Sequence, residues 1–118
     1  MEEVKFDYDL ENDSLFLYKS EEKVRGSVEL GDFVIDFNPN LNKVISLEIM
    51  NASKRLPVAL SNKINKTTLK NIKKAILRTQ HKDNVIYVIY GIVSMVKNEQ
   101  IKEETLMPVM VVQQHKTS

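Results

Sequence analysis

Val4-Lys5-Phe6-Asp7-Tyr8 alternates apolar and polar residues, the period of two that sets one face of a strand against a core. Asp9-Leu10-Glu11-Asn12-Asp13-Ser14 then supplies turn formers, and Leu15-Phe16-Leu17-Tyr18 follows, so a first β-hairpin is predicted. Val24, Val28 and Leu30 mark a third extended piece. Leu30-Gly31-Asp32 turns it, and Phe33-Val34-Ile35-Asp36-Phe37 alternates again before Asn38-Pro39-Asn40. Val44, Leu47 and Ile49 continue in extended form to Asn51-Ala52-Ser53-Lys54, which could close a turn or open a helical one. Residues 1–56 therefore read as an antiparallel β-meander of about five strands.

Pro57 interrupts what precedes it, and a polar connection is expected over 57–66. Leu69, Ile72 and Ile76 fall at i, i+3 and i+7 behind the N-cap candidates Thr67 and Thr68. This spacing predicts an amphipathic helix over about 67–80, its basic stretch running to residue 82. Leu77 falls among the lysines on the polar side and does not fit that helix. Val85-Ile86-Tyr87-Val88-Ile89-Tyr90 is β-branched and aromatic on both faces, and Lys97-Asn98-Glu99-Gln100 turns it. The return segment carries Leu106, Pro108 and Met110 on one face and Met107, Val109 and Val111 on the other, predicting a long hairpin over about 84–113 with a tail at 114–118. An apolar hairpin needs both faces covered, and one helix covers one. A homodimer with Tyr87, Ile89, Val109 and Val111 at its interface would cover the second; packing by the first sheet is the alternative.

The fold class that emerges is α+β, in a single domain over residues 1–118. With 42% apolar and 28% charged residues, the composition is that of a globular chain. No cysteine is present, which removes disulfides, thiolate metal sites and thiol nucleophiles. The start Met1-Glu2-Glu3 is acidic where a secretory signal is basic, and the longest apolar run, about 12 residues, is too short to span a bilayer, so a cytoplasmic location without membrane association is expected.

Charge changes the picture more than composition does. The formal net charge is +1, yet residues 1–48 hold 12 acidic and 5 basic residues, or −7. Residues 49–82 hold 9 basic and no acidic ones, or +9. Along the expected helix, Lys63, Lys66, Lys70, Lys73, Lys74 and Arg78 form a candidate surface for nucleic acid or an acidic partner, since each neutralised phosphate would release a counterion. No aromatic residue interleaves them to stack on bases, and a basic helix face is equally served by solvent or by the acidic N-terminal hairpins.

Tyr8-Asp9-Leu10-Glu11-Asn12-Asp13-Ser14-Leu15-Phe16-Leu17, then Leu30-Gly31-Asp32-Phe33-Val34-Ile35-Asp36-Phe37, then Leu47-Glu48-Ile49-Met50-Asn51-Ala52-Ser53 together resemble a small bacterial and archaeal family, domain of unknown function 2283. The resemblance covers about residues 5–56, with Asn42 and Ser46 standing where the family usually has glycine. It implies the β-meander, carries no catalytic assignment, and through members that look like partners of toxin-type genes implies an antitoxin-like binding role.

Individual sites are weaker. Asp9-Leu10-Glu11-Asn12-Asp13 begins like a calcium loop, but Ser14 and Ser20 occupy the positions that need glycine and glutamate. Asp7, Asp9, Glu11 and Asp13 read as a solvated acidic edge that discourages strand-to-strand aggregation. Glu48, inside an apolar strand, is a candidate buried acid, better explained by exposure or by a hydrogen bond to the turn at 51–53. His81 and His115 lack spaced ligand partners, and Gly26, Gly31 and Gly91 are isolated, so neither a metal nor a phosphate loop is indicated. Asn51-Ala52-Ser53 and Asn65-Lys66-Thr67 match the glycosylation pattern without a secretory context. The expectation is a non-enzymatic protein-interaction module, homodimeric and without cofactors, with nucleic-acid binding as the alternative.

Overall fold

The computed structural model describes residues 3–19, 26–38, 43–59, 63–83 and 85–110, and at 3, 57–59 and 104–110 the backbone alone. The chain is α+β. Strands β1 (Glu3–Asp9), β2 (Ser14–Tyr18), β3 (Gly26–Leu30), β4 (Phe33–Asn38) and β5 (Lys43–Ile49) precede helices α1 (Ala52–Ala59) and α2 (Lys66–Lys70). Strands β6 (Ile72–Lys82), β7 (Val85–Val96) and β8 (Glu99–Met110) follow. All eight strands join one antiparallel sheet in the order β3-β4-β5-β2-β1-β6-β7-β8.

Among the described residues, positive φ falls at Asp, Asn or Gly except at Lys97. Asp13 (φ 53) closes β1–β2 and Gly31 (φ 60) closes β3–β4. Lys97 and Asn98 (φ 48 and 65) form the two-residue turn of the β7–β8 hairpin, which pairs Val96 with Glu99.

The expected helix over 67–80 is not formed, and a strand takes its place. Helical geometry stops at Lys70, where Asn71 donates its side-chain amide to the Thr67 carbonyl at 2.7 Å and its backbone N–H to the Thr68 carbonyl at 3.1 Å. The true N-cap is Asn65, whose side chain accepts from the Thr68 N–H at 3.0 Å, rather than Thr67 or Thr68. From Ile72 onward a period of two wins: Ala75 and Leu77 are buried at 1% and 0% exposure, while Arg78 and Gln80 are exposed. Leu77, the misfit of the helical reading, is a core residue of the strand. Pairing with β7 from Ile72↔Ser94 to Lys82↔Val85 satisfies a full ladder of backbone groups, and it buries residues that a helix would leave among its lysines. The break expected at Pro57 is also absent, since α1 continues to Ala59.

The sheet curls upon itself. β4 and β7 are far apart in strand order, yet the Phe33 and Tyr90 rings meet with centroids 6.3 Å apart and planes tilted by 56°. The Val44 N–H of β5 likewise donates to Thr79 Oγ1 of β6 at 2.9 Å. Among the described residues, β1 and β6 join through the pairs Glu3↔Ile76 and Val4↔Ala75. Leu15, Leu17, Ile35, Leu47 and Ile49 of the first half therefore face Leu77, Val88, Tyr90 and Ile92 of the second, with Ala52, Leu56, Ile64 and Leu69 completing the core. Each fully buried aliphatic side chain contributes about 1.5–3 kcal/mol, so this enclosure outweighs any surface ion pair. The first sheet thus supplies the cover for one face of the long hairpin. Burial in this core also pushes the Tyr90 hydroxyl up to about 12.

Two consequences are measurable by urea denaturation. Leu77→Ala should lower stability by about 2–5 kcal/mol, whereas Gln80→Ala on the outward face should change it by less than about 0.5 kcal/mol. Ser94, fully buried with no hydrogen-bond partner for its hydroxyl among the described residues, gives the opposite sign: Ser94→Ala should stabilise by about 1 kcal/mol.

Candidate functional site

Alternation along the first five strands turns Val4, Phe6, Tyr8, Leu15, Leu17, Ile35 and Leu47 toward the core. On the other face, Asp7 and Asp9 are exposed and Phe16, Tyr18, Val34, Asp36 and Glu48 are half-buried. Register then aligns them across the sheet, with Asp7 opposite Phe16, Phe16 opposite Glu48, and Glu48 opposite Val34. One row further, Tyr18 stands opposite Ser46 and Ser46 opposite Asp36. Phe16 and Tyr18 stack on this surface with ring centroids 4.8 Å apart.

A groove of about 540 Å³ opens at the β1–β2 turn end of this face, lined by Asp7, Asp9, Asn12, Ser14, Phe16, Glu48, Met50 and Asn51. Two of its three carboxylates, Asp9 and Glu48, are held in place. Ser14 Oγ donates to Glu48 Oε2 at 3.1 Å, and Asp9 accepts from the Asn12 backbone N–H at 3.1 Å and its side-chain amide at 2.7 Å. These Asn12 bonds hold the Asp9 carboxyl below the usual carboxylate range. Asp36, on the neighbouring row, accepts from Ser27 Oγ and from Ser46 Oγ.

Behind the groove, Asp13 turns inward. Only 8% exposed, it accepts from Tyr8 Oη at 2.6 Å, from the Ser53 N–H at 3.0 Å and from Ser53 Oγ at 2.7 Å, while its own carbonyl accepts from the Ala52 N–H at 2.9 Å. The first amides of α1 are thus capped by a residue of the β1–β2 turn. Burial pushes the Asp13 carboxyl upward, but the Tyr8 and Ser53 hydrogen bonds and the Lys66 charge outweigh it and leave it lowered. Burial and the Asp13 hydrogen bond together raise the Tyr8 hydroxyl well above its ordinary value. Arg55 on α1 pairs with Asp32 of the β3–β4 turn, and the Met50 N–H donates to the Asp32 carbonyl at 2.7 Å.

The acidic run read from the sequence is therefore divided, with Asp7 and Asp9 on the outer face, Glu11 exposed in the turn and Asp13 buried as a cap. Glu48 is half-buried at the groove and bonded to Ser14 rather than to residues 51–53. The basic residues do not share a helix face. Lys63 precedes α2, Lys66 and Lys70 lie on it, Lys73 sits at the register shift of β6, and Lys74 and Arg78 lie on the strand beyond. Two of them approach the acidic half: Lys66 acts on Asp13, and Lys70 lines a cleft of about 290 Å³ that also includes Asp7.

Of the four dimer candidates, the three within the described residues do not share one register phase. Tyr87 stands opposite Pro108 and Ile89 opposite Leu106, whereas Val109 stands opposite Ile86, one step out of phase. Val111 and His115 lie outside the described residues, and His81 is exposed near the end of β6. The capping role of Asp13 and Ser53 was missed in the sequence reading. A local signal existed for α2 alone, in Asn65-Lys66-Thr67, where Asn65 is the N-cap; Asn51 has φ 53, and the first amides of α1 are met by Asp13 from forty positions away.

Residues 5–53 match the family described as "Protein of unknown function (DUF2283)". The match confirms the resemblance in the N-terminal half and ends at Ser53, so it contains every residue of the Tyr8, Asp13 and Ser53 network. The chain is 39% identical over 69 residues to a Methanosarcina mazei protein named "Putative hypoxanthine phosphoribosyltransferase", covering 58% of this chain and 50% of that one. It is 49% identical over 51 residues to the uncharacterized protein MJ0789 of Methanocaldococcus jannaschii, covering 43% of each. The chain thus spans about half the length, or less, of these curated relatives. No solved structure matches it. Among the described residues, no helix is long and apolar enough to cross a membrane.

The Asp13 cap sets a pH dependence. A carboxyl lowered in the folded state contributes stability that is present above its unfolded pKa and is lost as pH falls through its folded value. Urea midpoints should fall below about pH 4 in the unaltered protein. Asp13→Asn should cost about 1–3 kcal/mol at neutral pH and flatten that acid limb.

Proposed function

We propose that the chain is a non-enzymatic interaction module whose acidic groove takes a basic segment of a protein partner. The observation that carries this reading is the groove itself: three carboxylates, Asp7, Asp9 and Glu48, line it together with Phe16, which is stacked on Tyr18. A cationic side chain laid over an aromatic ring between carboxylates gains from both the ring quadrupole and the charges, at about 0.5–1 kcal/mol per exposed interaction. Several such interactions make a usable, salt-sensitive site. The groove holds carboxylates, amides and one hydroxyl that is already bonded to Glu48, with no histidine or lysine in its lining to serve as the base or partner of a nucleophile.

The phosphoribosyltransferase in one relative's name belongs to a protein about twice the length of the matched segment. Phosphate chemistry of that kind draws on loops that present backbone N–H groups, and the three glycines here are isolated from one another. Nucleic-acid binding is the second reading, favoured by the exposed lysines Lys66, Lys70 and Lys73 around α2.

Fluorescence polarisation of a labelled oligolysine peptide against the full chain decides between them. Binding that weakens with salt and falls roughly three- to tenfold in Asp7→Asn/Glu48→Gln supports the groove. Equal binding by that variant sinks the reading. Tighter binding to labelled duplex DNA, abolished by Lys70→Glu/Lys73→Glu, would put the second reading in its place.

A further inference from the structure

The groove and the Asp13 network are two sides of one junction. Asp9, Asn12 and Ser14 line one wall of the groove, and Met50 and Asn51 line the other. The β2–β5 ladder that holds these walls at a fixed spacing has its last pair at Leu15↔Ile49. Beyond that pair the two segments would be free to diverge, one running into the β1–β2 turn and the other into α1. The described bonds across the opening start at Ser14 and Glu48 on the ladder's own edge and continue with Asp13 to Ala52 and Ser53. Tyr8 braces the same carboxylate from β1, so that Asp13 cannot rotate toward solvent without giving up donors on both sides.

We infer that the Tyr8, Asp13 and Ser53 network is the positioning device of the groove, setting the distance between its walls and hence its affinity for a cationic ligand. The inference rests on reading the groove as the binding site. The three residues are not in the groove lining; they act through Asn12 and Ser14, which flank Asp13, and through Asn51, two positions before Ser53. A buried carboxylate with several donors is suited to the task, because losing any one donor leaves the rest bonded but displaced, which shifts a wall without unfolding the core.

The test is NMR hydrogen exchange and chemical shift on the full-length chain, with oligolysine titration in parallel. Ser53→Ala removes one hydroxyl donor and should speed exchange of the Ala52 and Ser53 amides by about tenfold. It should also shift the Asn12, Ser14 and Asn51 resonances and weaken the peptide several-fold. Ser53→Thr keeps the hydroxyl and should restore all of these. Tyr8→Phe, which retains the packed ring, should behave as Ser53→Ala does. Val88→Ala, in the core of β7, should lower the melting temperature without moving the groove resonances. Groove resonances that stay in place when the Ser53 or Tyr8 bond is lost, or that move equally in Val88→Ala, overturn the inference whether or not the peptide binds. If those resonances move in Ser53→Ala but not in Val88→Ala, while the unaltered protein binds no peptide, the reading of the groove as a cation site fails and the role of the network in setting its walls stands.

Discussion

A carboxylate that is almost entirely removed from water sits at the point where the first turn meets the first helix. Left alone, Asp13 would be costly to bury; with a tyrosine hydroxyl, a serine hydroxyl and a helix amide all donating to it, the cost is offset and the geometry becomes specific. The direction of α1 follows from that capping. So does the seating of Ala52 and Leu56 in the core, and so does the spacing of the groove walls on the opposite side of the same turn. A helix of eight residues is marginal in isolation, and here its stability is borrowed from the β1–β2 turn below it.

The second constraint is the curl of the sheet. Eight strands laid flat would leave one apolar face in water; by bending so that β4 and β5 meet β7 and β6, the sheet closes that face upon itself. This is why β6 exists as a strand. Leu77 and Ala75 can reach Leu47 and the other inner residues of the first half only if the segment from Ile72 runs extended beside β7. The gain in buried apolar area decides against a helix whose local spacing was acceptable but whose lysine-rich side would have held Leu77.

The outer face of the first five strands carries an aromatic stack beside carboxylates, of which Asp9, Asp36 and Glu48 are hydrogen-bonded. The segregation of charge along the sequence survives folding only in part. Lys66 and Lys70 come back toward the acidic turn, so some of the basic stretch neutralises its own chain while the carboxylates of the outer face remain directed at solvent. The family match, over residues 5–53, includes the residues that line the groove.

The two N-terminal hairpins, their turns at Asp13 and Gly31, and the long C-terminal hairpin were legible in the sequence, because period-two alternation and turn chemistry act over a few residues. The start of β6 was ambiguous locally. Leu69, Ile72 and Ile76 satisfy helical spacing, and Ala75, Leu77 and Thr79 satisfy strand alternation, so the decision fell to the partners that only the folded sheet provides. The groove was likewise invisible as a unit. Asp7 reads as part of an acidic edge, Glu48 as a lone acid and Phe16 as a strand residue until register sets them side by side, and Asp13 and Ser53, forty positions apart, meet only once the β2–β5 ladder has formed. Short-range patterns settled which segments were strands and turns; long-range pairing, through the apolar area it buries and the backbone bonds it completes, settled which face each residue would serve.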